Sequence, residues 1–163
     1  MSEANSPAVH SMSTTKPRVK YQASCHCQLV RYSVTLSPPL DDFDSWVVEC
    51  NCSICARNGY LNVYVQTDCI EFETIGLESD LIEKYRFGKQ RVQHYFCSRC
   101  GSSLMAESIE PGFYEGVKAL NVSHPLFFPF THLSPFLISV LIPIPIPGIS
   151  YHTIPHPPRT TPL

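Results

Sequence analysis

Three short motifs, CHC at residues 25–27, CNCSIC at residues 50–55 and CSRCG at residues 97–101, hold seven of the eight cysteines of this chain. Cysteines one or two residues apart can direct their sulfur atoms at one soft cation without large backbone strain. A structural zinc site is normally closed by four protein ligands, whereas a catalytic zinc site keeps three and leaves a fourth position open. Seven cysteines therefore divide naturally into one site of four and one site of three.

The site of four would combine the first and the last motif. These motifs supply Cys25 and Cys27 from the beginning of the domain, and Cys97 and Cys100 from its later part. A metal bound by all four would connect two distant segments, so its binding energy would contribute directly to folding. We predict a structural zinc site here.

The site of three would use the middle motif alone. Cys50, Cys52 and Cys55 lie within six residues and resemble an incomplete tetrahedral shell. An alternative is that a fourth ligand from elsewhere closes this site as a second structural one, and the candidates for it are His26, His94 and Cys69. Arg57, directly after this motif, is a candidate to contact a carboxylate of an anionic ligand.

These candidate fourth ligands also have simpler interpretations. His26 lies between two predicted ligands, so we expect its own side chain to point away from the metal. His94 shares one face of an alternating segment with Val92 and Phe96, and we interpret it as a partly buried histidine rather than a base. Cys69 begins a predicted strand with no cysteine nearby in sequence, and we interpret it as a small core residue.

The composition narrows the class of protein. Residues 1–20 lack the basic start and apolar run of a signal peptide, which favours a reducing compartment and makes a set of disulfides the weaker interpretation of the cysteines. We expect a cytoplasmic protein, with the nucleus as the other option. A formal charge of −2 with no basic cluster argues against nucleic acid as a partner.

Alternation of apolar and polar residues is the main signal for secondary structure. Ser37-Pro38-Pro39 and other polar stretches interrupt the chain. In the short segments between them, apolar and polar residues alternate with a period of two, which is typical of half-buried strands. The predicted strands lie at residues 28–36, 46–49, 60–66, 70–74, 81–87, 91–96, 102–107 and 113–122. The sequence thus predicts one antiparallel, mainly β domain with short connections.

The two ends of the chain differ from this domain. Residues 1–18 have few apolar positions, and we predict a disordered arm. Residues 123–163 contain ten of the fifteen prolines and one charged side chain, Arg159. The apolar stretch 125–149 is long enough to span a membrane, but its prolines argue against a spanning helix. We therefore predict a domain at 19–122 followed by a proline-rich tail that is not part of it.

The three motifs and their surroundings resemble one known family. Residues 24–27 read SCHC, residues 50–59 read CNCSICARNG, and residues 96–103 read FCSRCGSS. In this order and spacing they are similar to the glutathione-dependent formaldehyde-activating enzyme family, also called the CENP-V/GFA domain. The resemblance covers about residues 19–122. Each motif alone would be weak evidence, but the three together are specific.

The resemblance implies a zinc-binding β-tent fold and two zinc ions per chain. It also implies a carbon–sulfur lyase that interconverts glutathione and formaldehyde with S-hydroxymethyl-glutathione. By position, the structural zinc ligands would be the four cysteines of the outer motifs, and the catalytic zinc ligands would be Cys50, Cys52 and Cys55. Two alternatives remain: a zinc-stabilised binding module without turnover, and a related enzyme that acts on another thiol or small electrophile.

Two positions depart from the family pattern. Gln28 stands where the family usually has glycine after the first motif. After Asn121-Val122 an arginine usually follows, whereas here Ser123 begins the proline-rich tail. We therefore expect residues 123–163 to be an aberrant terminus, such as a translated intron, because the change in composition and the end of the family resemblance fall at the same position.

Overall fold

Two β-sheets and one short helix form the domain in a computed structural model that describes residues 15–123 and the backbone of residues 128–129 and 150–154. The strands are β1 (Val19–Ser24), β2 (Arg31–Leu36), β3 (Trp46–Cys50), β4 (Leu61–Gln66), β5 (Ile70–Phe72), β6 (Ile82–Tyr85), β7 (Val92–Cys97), β8 (Ser103–Ser108), β9 (Val117–Asn121), β10 (Phe128–Pro129) and β11 (Ser150–Ile154). The helix α1 spans Ser53–Asn58, and a single 3-10 turn spans Thr67–Cys69. The predicted mainly β class is confirmed.

The small sheet has the order β10-β1-β2-β5, and the large sheet has the order β11-β3-β4-β9-β8-β7-β6. All neighbouring strands are antiparallel except β11, which pairs in parallel with β3. Five pairs join strands that are consecutive in sequence, namely β1-β2, β3-β4, β6-β7, β7-β8 and β8-β9. The prediction of an antiparallel single domain is therefore confirmed.

The core lies between the inner faces of the two sheets. On the large sheet Val63, Leu120, Met105 and Tyr95 form one row of directly paired residues, and all are almost fully buried. The small sheet supplies Tyr21, Ala23, Tyr32, Val34 and Leu36 to the same cluster. Removal of these side chains from water is the main force that holds the sheets together. Cys69 is 5% exposed and joins this core, as its sequence context predicts.

Two details of the predicted strands are corrected. β1 was not predicted, although Val19, Tyr21 and Ala23 alternate with polar residues, because the alternation is short and includes alanine, which strands disfavour. The predicted hairpin of residues 81–96 exists, but its strands end earlier. Six residues, not a tight turn, separate Tyr85 from Val92.

The predicted arm and tail fall mostly outside the described residues. Of the arm, only residues 15–18 are described, and Lys16 Nζ lies 2.6 Å from a carboxylate oxygen of Asp42. Of the tail, β10 pairs with β1 and β11 pairs with β3, each at the edge of its sheet. Edge positions are where proline-containing segments can pair. The proposed boundaries at residues 18 and 122, and the origin of the tail, stay predictions.

Candidate metal centres and active site

The sulfur atoms of Cys25, Cys27, Cys97 and Cys100 all lie within 4.8 Å of one another. The Sγ atoms of Cys25 and Cys27 are 3.5 Å apart, and those of Cys27 and Cys97 are 3.7 Å apart. Tetrahedral zinc with bonds of about 2.3 Å to sulfur requires about 3.8 Å between sulfur atoms. These separations therefore fit a four-thiolate zinc site, and all eight cysteines are free rather than disulfide-bonded.

The same four-cysteine cluster joins the two sheets. Cys25 and Cys27 lie in the turn between β1 and β2 of the small sheet, whereas Cys97 ends β7 of the large sheet. The His26 amide also donates to Ser102 Oγ at 3.0 Å, so the two turns are in direct contact. His26 itself is exposed, as the sequence predicts. A cation bound here would connect the sheets at one end of the core.

Burial and hydrogen bonding at this cluster favour a bound cation. Cys25 is fully buried, and burial raises its pKa to about 12, so that thiol keeps its proton unless a positive charge is present. The Val30 amide nevertheless donates to Cys25 Sγ at 3.3 Å, an arrangement that suits a thiolate. Burial opposes ionisation of Cys100 as well, yet hydrogen bonds from the Ser102 hydroxyl and nearby amides lower its pKa to about 5.

Both turns that carry these cysteines need a left-handed residue directly after the second cysteine. Gly101 has φ +70°, and its amide donates to the Cys97 carbonyl oxygen at 2.8 Å. Gln28 has φ +60° in the equivalent place, and its amide donates to the Cys25 carbonyl oxygen at 3.0 Å. A side chain at positive φ costs free energy that glycine avoids. The family preference for glycine at position 28 therefore has a physical reason.

Replacing Gln28 by glycine is expected to stabilise the domain by about 0.5–1 kcal/mol, because the relief of left-handed strain exceeds the extra chain entropy of glycine. The midpoint of urea unfolding of the zinc-loaded protein measures this change. Gln22→Gly in β1 is the matched control. Its backbone is extended, so it should lose about 1 kcal/mol instead. Equal destabilisation by both changes would contradict the interpretation.

The second cluster consists of Cys50, Cys52 and Cys55, whose sulfur atoms also lie within 4.8 Å of one another. Cys50 ends β3, Cys52 precedes the first residue of α1, and Cys55 lies within α1. The helix ends at Gly59, which has φ +65° and donates its amide to the Cys55 carbonyl oxygen. One helical turn thus brings the second and third sulfur atoms together beside the strand that carries the first.

The charge of this cluster is centred on one sulfur atom. Hydrogen bonds from the thiols of Cys50 and Cys55 lower the pKa of Cys52 to about 2. The same contacts raise the pKa of Cys55, because its proton is shared with its neighbours. Amides of Ile54 and Cys55 also donate to Cys52 Sγ. Anionic sulfur surrounded by donors and two further thiols is a suitable set of ligands for a soft cation.

No histidine or carboxylate joins the three sulfur atoms among residues 15–123. His26, His94 and Cys69, the predicted candidates for a fourth ligand, all lie outside the cluster. Cys50 and Cys52 are only half-buried, so the cluster is accessible from outside. It can hold a metal ion with three protein ligands, which leaves the fourth position of a tetrahedron for another molecule.

Two side chains of β4 contact or approach this cluster, and neither was predicted from the sequence. Asn62 is buried, and its Nδ2 atom lies 3.8 Å from Cys55 Sγ. Tyr64 is two residues further along and shares the same face of the strand. Burial raises the pKa of Tyr64, and the electrostatic influence of the nearby cysteine cluster raises it further. Both residues alternate with the core residues Val63 and Val65, which is the only sequence signal for them.

His94 lies on the same face of the large sheet as Tyr64, three strands away. It is 6% exposed, which is more buried than predicted, and its ring stacks on Phe87 with centroids 5.6 Å apart. Burial lowers the pKa of His94, and the negative charge of Cys52 acts in the opposite direction. The sequence suggested this histidine only as a possible ligand or a core residue. Its position on the same face as Tyr64 depends on sheet pairing that no local pattern reveals.

A cavity of about 180 Å³ lies against the cluster. It is lined by Glu49, Cys50, Asn51, Cys55, Ala56, Gly59, Tyr60 and Leu61. Arg57 is exposed in the last turn of α1 and is not among the lining residues. The cavity can admit a small molecule to Cys50 and Cys55, whereas the expected contact of Arg57 with a carboxylate stays a prediction.

Fold and clusters together define a β domain that can bind one metal ion with four cysteines and a second with three. The profile of the GFA family, glutathione-dependent formaldehyde-activating enzyme, matches residues 20–123. This chain therefore belongs to that family, whose members are generally enzymes.

The fold is also similar to a known structure. The crystal structure of a Rhodobacter sphaeroides protein matches with a TM-score of 0.50 and 23% sequence identity, covering 62% of this chain and 84% of that protein. In the part of this chain that the structure describes, no helix is long and apolar enough to cross a membrane. Apart from residues 128–129, the apolar stretch 125–149 lies outside that part, so the expectation about it stays a prediction.

Proposed function

We propose that this protein is a zinc-dependent carbon–sulfur lyase, similar to S-(hydroxymethyl)glutathione synthase, that joins a thiol such as glutathione to formaldehyde or a similar small aldehyde. One observation carries the proposal most strongly: a three-sulfur cluster opens onto a cavity of about 180 Å³ within the segment that matches the GFA family. A four-sulfur cluster lies apart from that cavity and suits a structural role.

Two zinc ions per chain are part of the proposal. Cys25, Cys27, Cys97 and Cys100 would hold the structural ion, and Cys50, Cys52 and Cys55 would hold the other. A cation held by Cys50, Cys52 and Cys55 would supply positive charge that favours the thiolate form of a thiol substrate. Thiolate ligands reduce the acidity of the metal, so orientation of the two reactants contributes more than polarisation.

The surrounding residues would hold this site in shape. Asn62 donates to Cys55 Sγ and restricts the rotation of that side chain. Amides of the first turn of α1 direct Cys52 Sγ toward the other two sulfur atoms. Tyr60 and Leu61 line the cavity beside Cys50 and Cys55 and would contact a molecule bound there.

The proposed reaction is an addition that needs no oxidant or reductant. The thiolate sulfur attacks the carbonyl carbon of the aldehyde, and a new carbon–sulfur bond forms. The electron pair of the carbonyl bond moves to oxygen, which takes up the proton that the thiol released. The reverse sequence breaks the carbon–sulfur bond and returns the thiol and the aldehyde, which is the lyase direction.

The substrate contacts and the compartment follow from the same proposal. Glutathione carries two carboxylates, and Arg57 would contact one of them from the exposed side of α1. Glutathione is abundant in the cytoplasm, where clustered thiols also stay reduced. No nucleic acid or membrane is required for this function.

The direct test is formaldehyde-dependent consumption of glutathione by protein loaded with two zinc ions. We expect the enzyme to accelerate approach to equilibrium at least tenfold over the spontaneous reaction at the same pH, because binding holds both reactants together. Exchange spectroscopy by NMR between formaldehyde hydrate and its glutathione adduct measures the rate without altering the mixture. Zinc content per chain is measured on the same sample by elemental mass spectrometry.

Controls separate catalysis from simple binding. Protein with two zinc ions and no acceleration would refute the lyase proposal and favour a zinc-stabilised binding module. Acceleration with another thiol but not with glutathione would keep the reaction and change the substrate. A content of one zinc ion per chain would refute the division into four and three ligands.

A further inference from the structure

The outer face of the large sheet, opposite the core, lies next to the three-cysteine cluster. Asn62 contacts Cys55 from this face, and its neighbour Tyr64 points the same way because residues two apart share a face. By direct pairing, Tyr64 lies opposite Ala119, Ala119 lies opposite Ala106, and Ala106 lies opposite His94. This row of four residues crosses β4, β9, β8 and β7, and we name it the alanine row.

The alanine row has small side chains in the middle and a large ring at each end. Ala106 and Ala119 are the smallest side chains that could stand there, and both are half-buried rather than covered. Tyr64 and His94 stand about 14 Å apart across three strand spacings. A shallow trough thus runs between two large rings, with methyl groups as its floor.

Further aromatic rings support each end of the trough. On one side Phe87 stacks on His94, and Tyr85 stacks on Phe87 with centroids 5.9 Å apart. On the other side Tyr114 lies 6.5 Å from Tyr64 between ring centroids. Tyr114 holds a left-handed backbone with φ +49°, an unfavourable conformation for a bulky residue that directs its ring toward this end.

The cluster lies next to the Tyr64 end of the alanine row. Asn62 Nδ2 is 3.8 Å from Cys55 Sγ, and Asn62 lies on the same face of β4 as Tyr64, two residues away. A molecule that reacts at the cluster can therefore place a side group in the trough.

The chemistry of the trough is apolar and aromatic. The outward positions of β4, β7, β8 and β9 include no Asp, Glu, Lys or Arg. Glutathione has two carboxylates and an ammonium group, which this surface cannot pair. A flat hydrocarbon ring, in contrast, can contact the alanine methyl groups and meet the aromatic walls edge to face. Formaldehyde is too small to reach either wall.

We propose that the alanine row binds the aromatic or bulky apolar group of an aldehyde larger than formaldehyde, and so selects the electrophile of the reaction. This inference rests on the proposed function for its chemistry. The thiolate sulfur adds to the carbonyl carbon of the aryl-substituted aldehyde, the carbonyl electron pair moves to oxygen, and oxygen takes the proton from the thiol. The ring occupies the trough before and after the carbon–sulfur bond forms.

Two measurements on the zinc-loaded full-length chain test this inference. The first is equilibrium binding of 4-fluorobenzyl alcohol, an unreactive analogue, followed by fluorine NMR. The second is the ratio of kcat/KM for phenylacetaldehyde to that for formaldehyde, with glutathione as the thiol. We expect the wild-type chain to bind the alcohol and to favour phenylacetaldehyde at least tenfold.

Ala119→Leu fills the floor of the trough on the face away from the core. We expect it to weaken binding of the alcohol at least tenfold and to lower the kcat/KM ratio by a similar factor. Phe87→Ala removes one wall instead, outside the core, and should weaken binding at least threefold. Thr35→Leu, which places the same leucine side chain on the half-buried outward side of β2, is the matched control and should change neither quantity.

The outcomes distinguish this inference from the proposed function. Absence of alcohol binding to the wild-type chain, or binding that neither Ala119→Leu nor Phe87→Ala weakens, would overturn the inference even if formaldehyde reacts. Binding that both variants weaken, without adduct formation from either aldehyde, would refute the proposed reaction and leave the trough as a ligand site. If Ala119→Leu does not fold, Phe87→Ala alone decides between these results.

Discussion

Cys97→Ser is expected to unfold the domain under conditions in which the wild-type chain is stable. Cys97 is 1% exposed and ends β7. Its Sγ atom lies 3.7 Å from that of Cys27, which is in the turn between β1 and β2 of the other sheet. A structural zinc site contributes about 10–16 kcal/mol to small zinc-binding domains, whereas the whole free energy of unfolding of a domain is about 5–15 kcal/mol. Weakening this site should therefore remove most of the net stability.

Circular dichroism during heating and zinc content measure this effect. We expect the cooperative unfolding transition to disappear or to fall by at least about 20 °C, since about 1 kcal/mol corresponds to a few degrees in a domain of this size. Cys69→Ser is the matched control, because Cys69 is also buried but lies outside both clusters. It should keep both zinc ions and lose only about 1–3 kcal/mol. A Cys97→Ser protein that unfolds at the wild-type temperature would contradict a structural role.

Cys52→Ser is expected to abolish activity while the domain stays folded. Cys52 is half-buried, precedes a helix of six residues and makes no contribution to the core cluster. Serine cannot supply the thiolate that the other two cysteines surround, so the zinc content should fall from two ions to one. The rate of adduct formation should fall by about 1,000-fold or to the spontaneous rate, in line with losing a catalytic metal.

The unfolding midpoint of Cys52→Ser should stay within about 5 °C of wild type, because the four-cysteine cluster and the core are intact. Ser53→Ala changes the next residue in the same turn and supplies no metal ligand, so it should keep both zinc ions and full activity. Activity that survives Cys52→Ser would exclude the three-cysteine cluster as the catalytic centre. If Cys52→Ser and Cys97→Ser were equally unfolded, the separation into a catalytic and a structural site would fail.

Some features could be predicted from local pattern because the physics behind them is local. Alternation in residues 60–66 predicted β4, since side chains of a strand point to opposite faces. Close spacing of cysteines predicted the two groups of sulfur atoms that the structure brings within 4.8 Å. Gln28 departs from the glycine that the family pattern has at this position. Its positive φ in the structure explains why glycine is preferred there.

Other features depended on pairing between distant segments. Tyr64 and His94 lie on one face of the large sheet only because β4, β9, β8 and β7 are ordered next to one another, which sets two alanines between them. Asn62 reaches Cys55 only because β4 returns beneath α1. Long-range pairing is determined by the sum of many weak contacts across the core, and no single stretch of sequence carries that information.

The sequence alone determined the mainly β class, the division of seven cysteines into four and three, and the resemblance that the family match confirms. These depend on residue type and spacing, which are properties of short segments. Only the tertiary structure decided what surrounds the three cysteines: the cavity beside Cys50 and Cys55, the contact from Asn62, and the trough between His94 and Tyr64. The physical reason is that the residues able to bind a metal are recognised by type and spacing within a short segment. The residues that surround such a site come from strands that become neighbours only when the hydrophobic core forms.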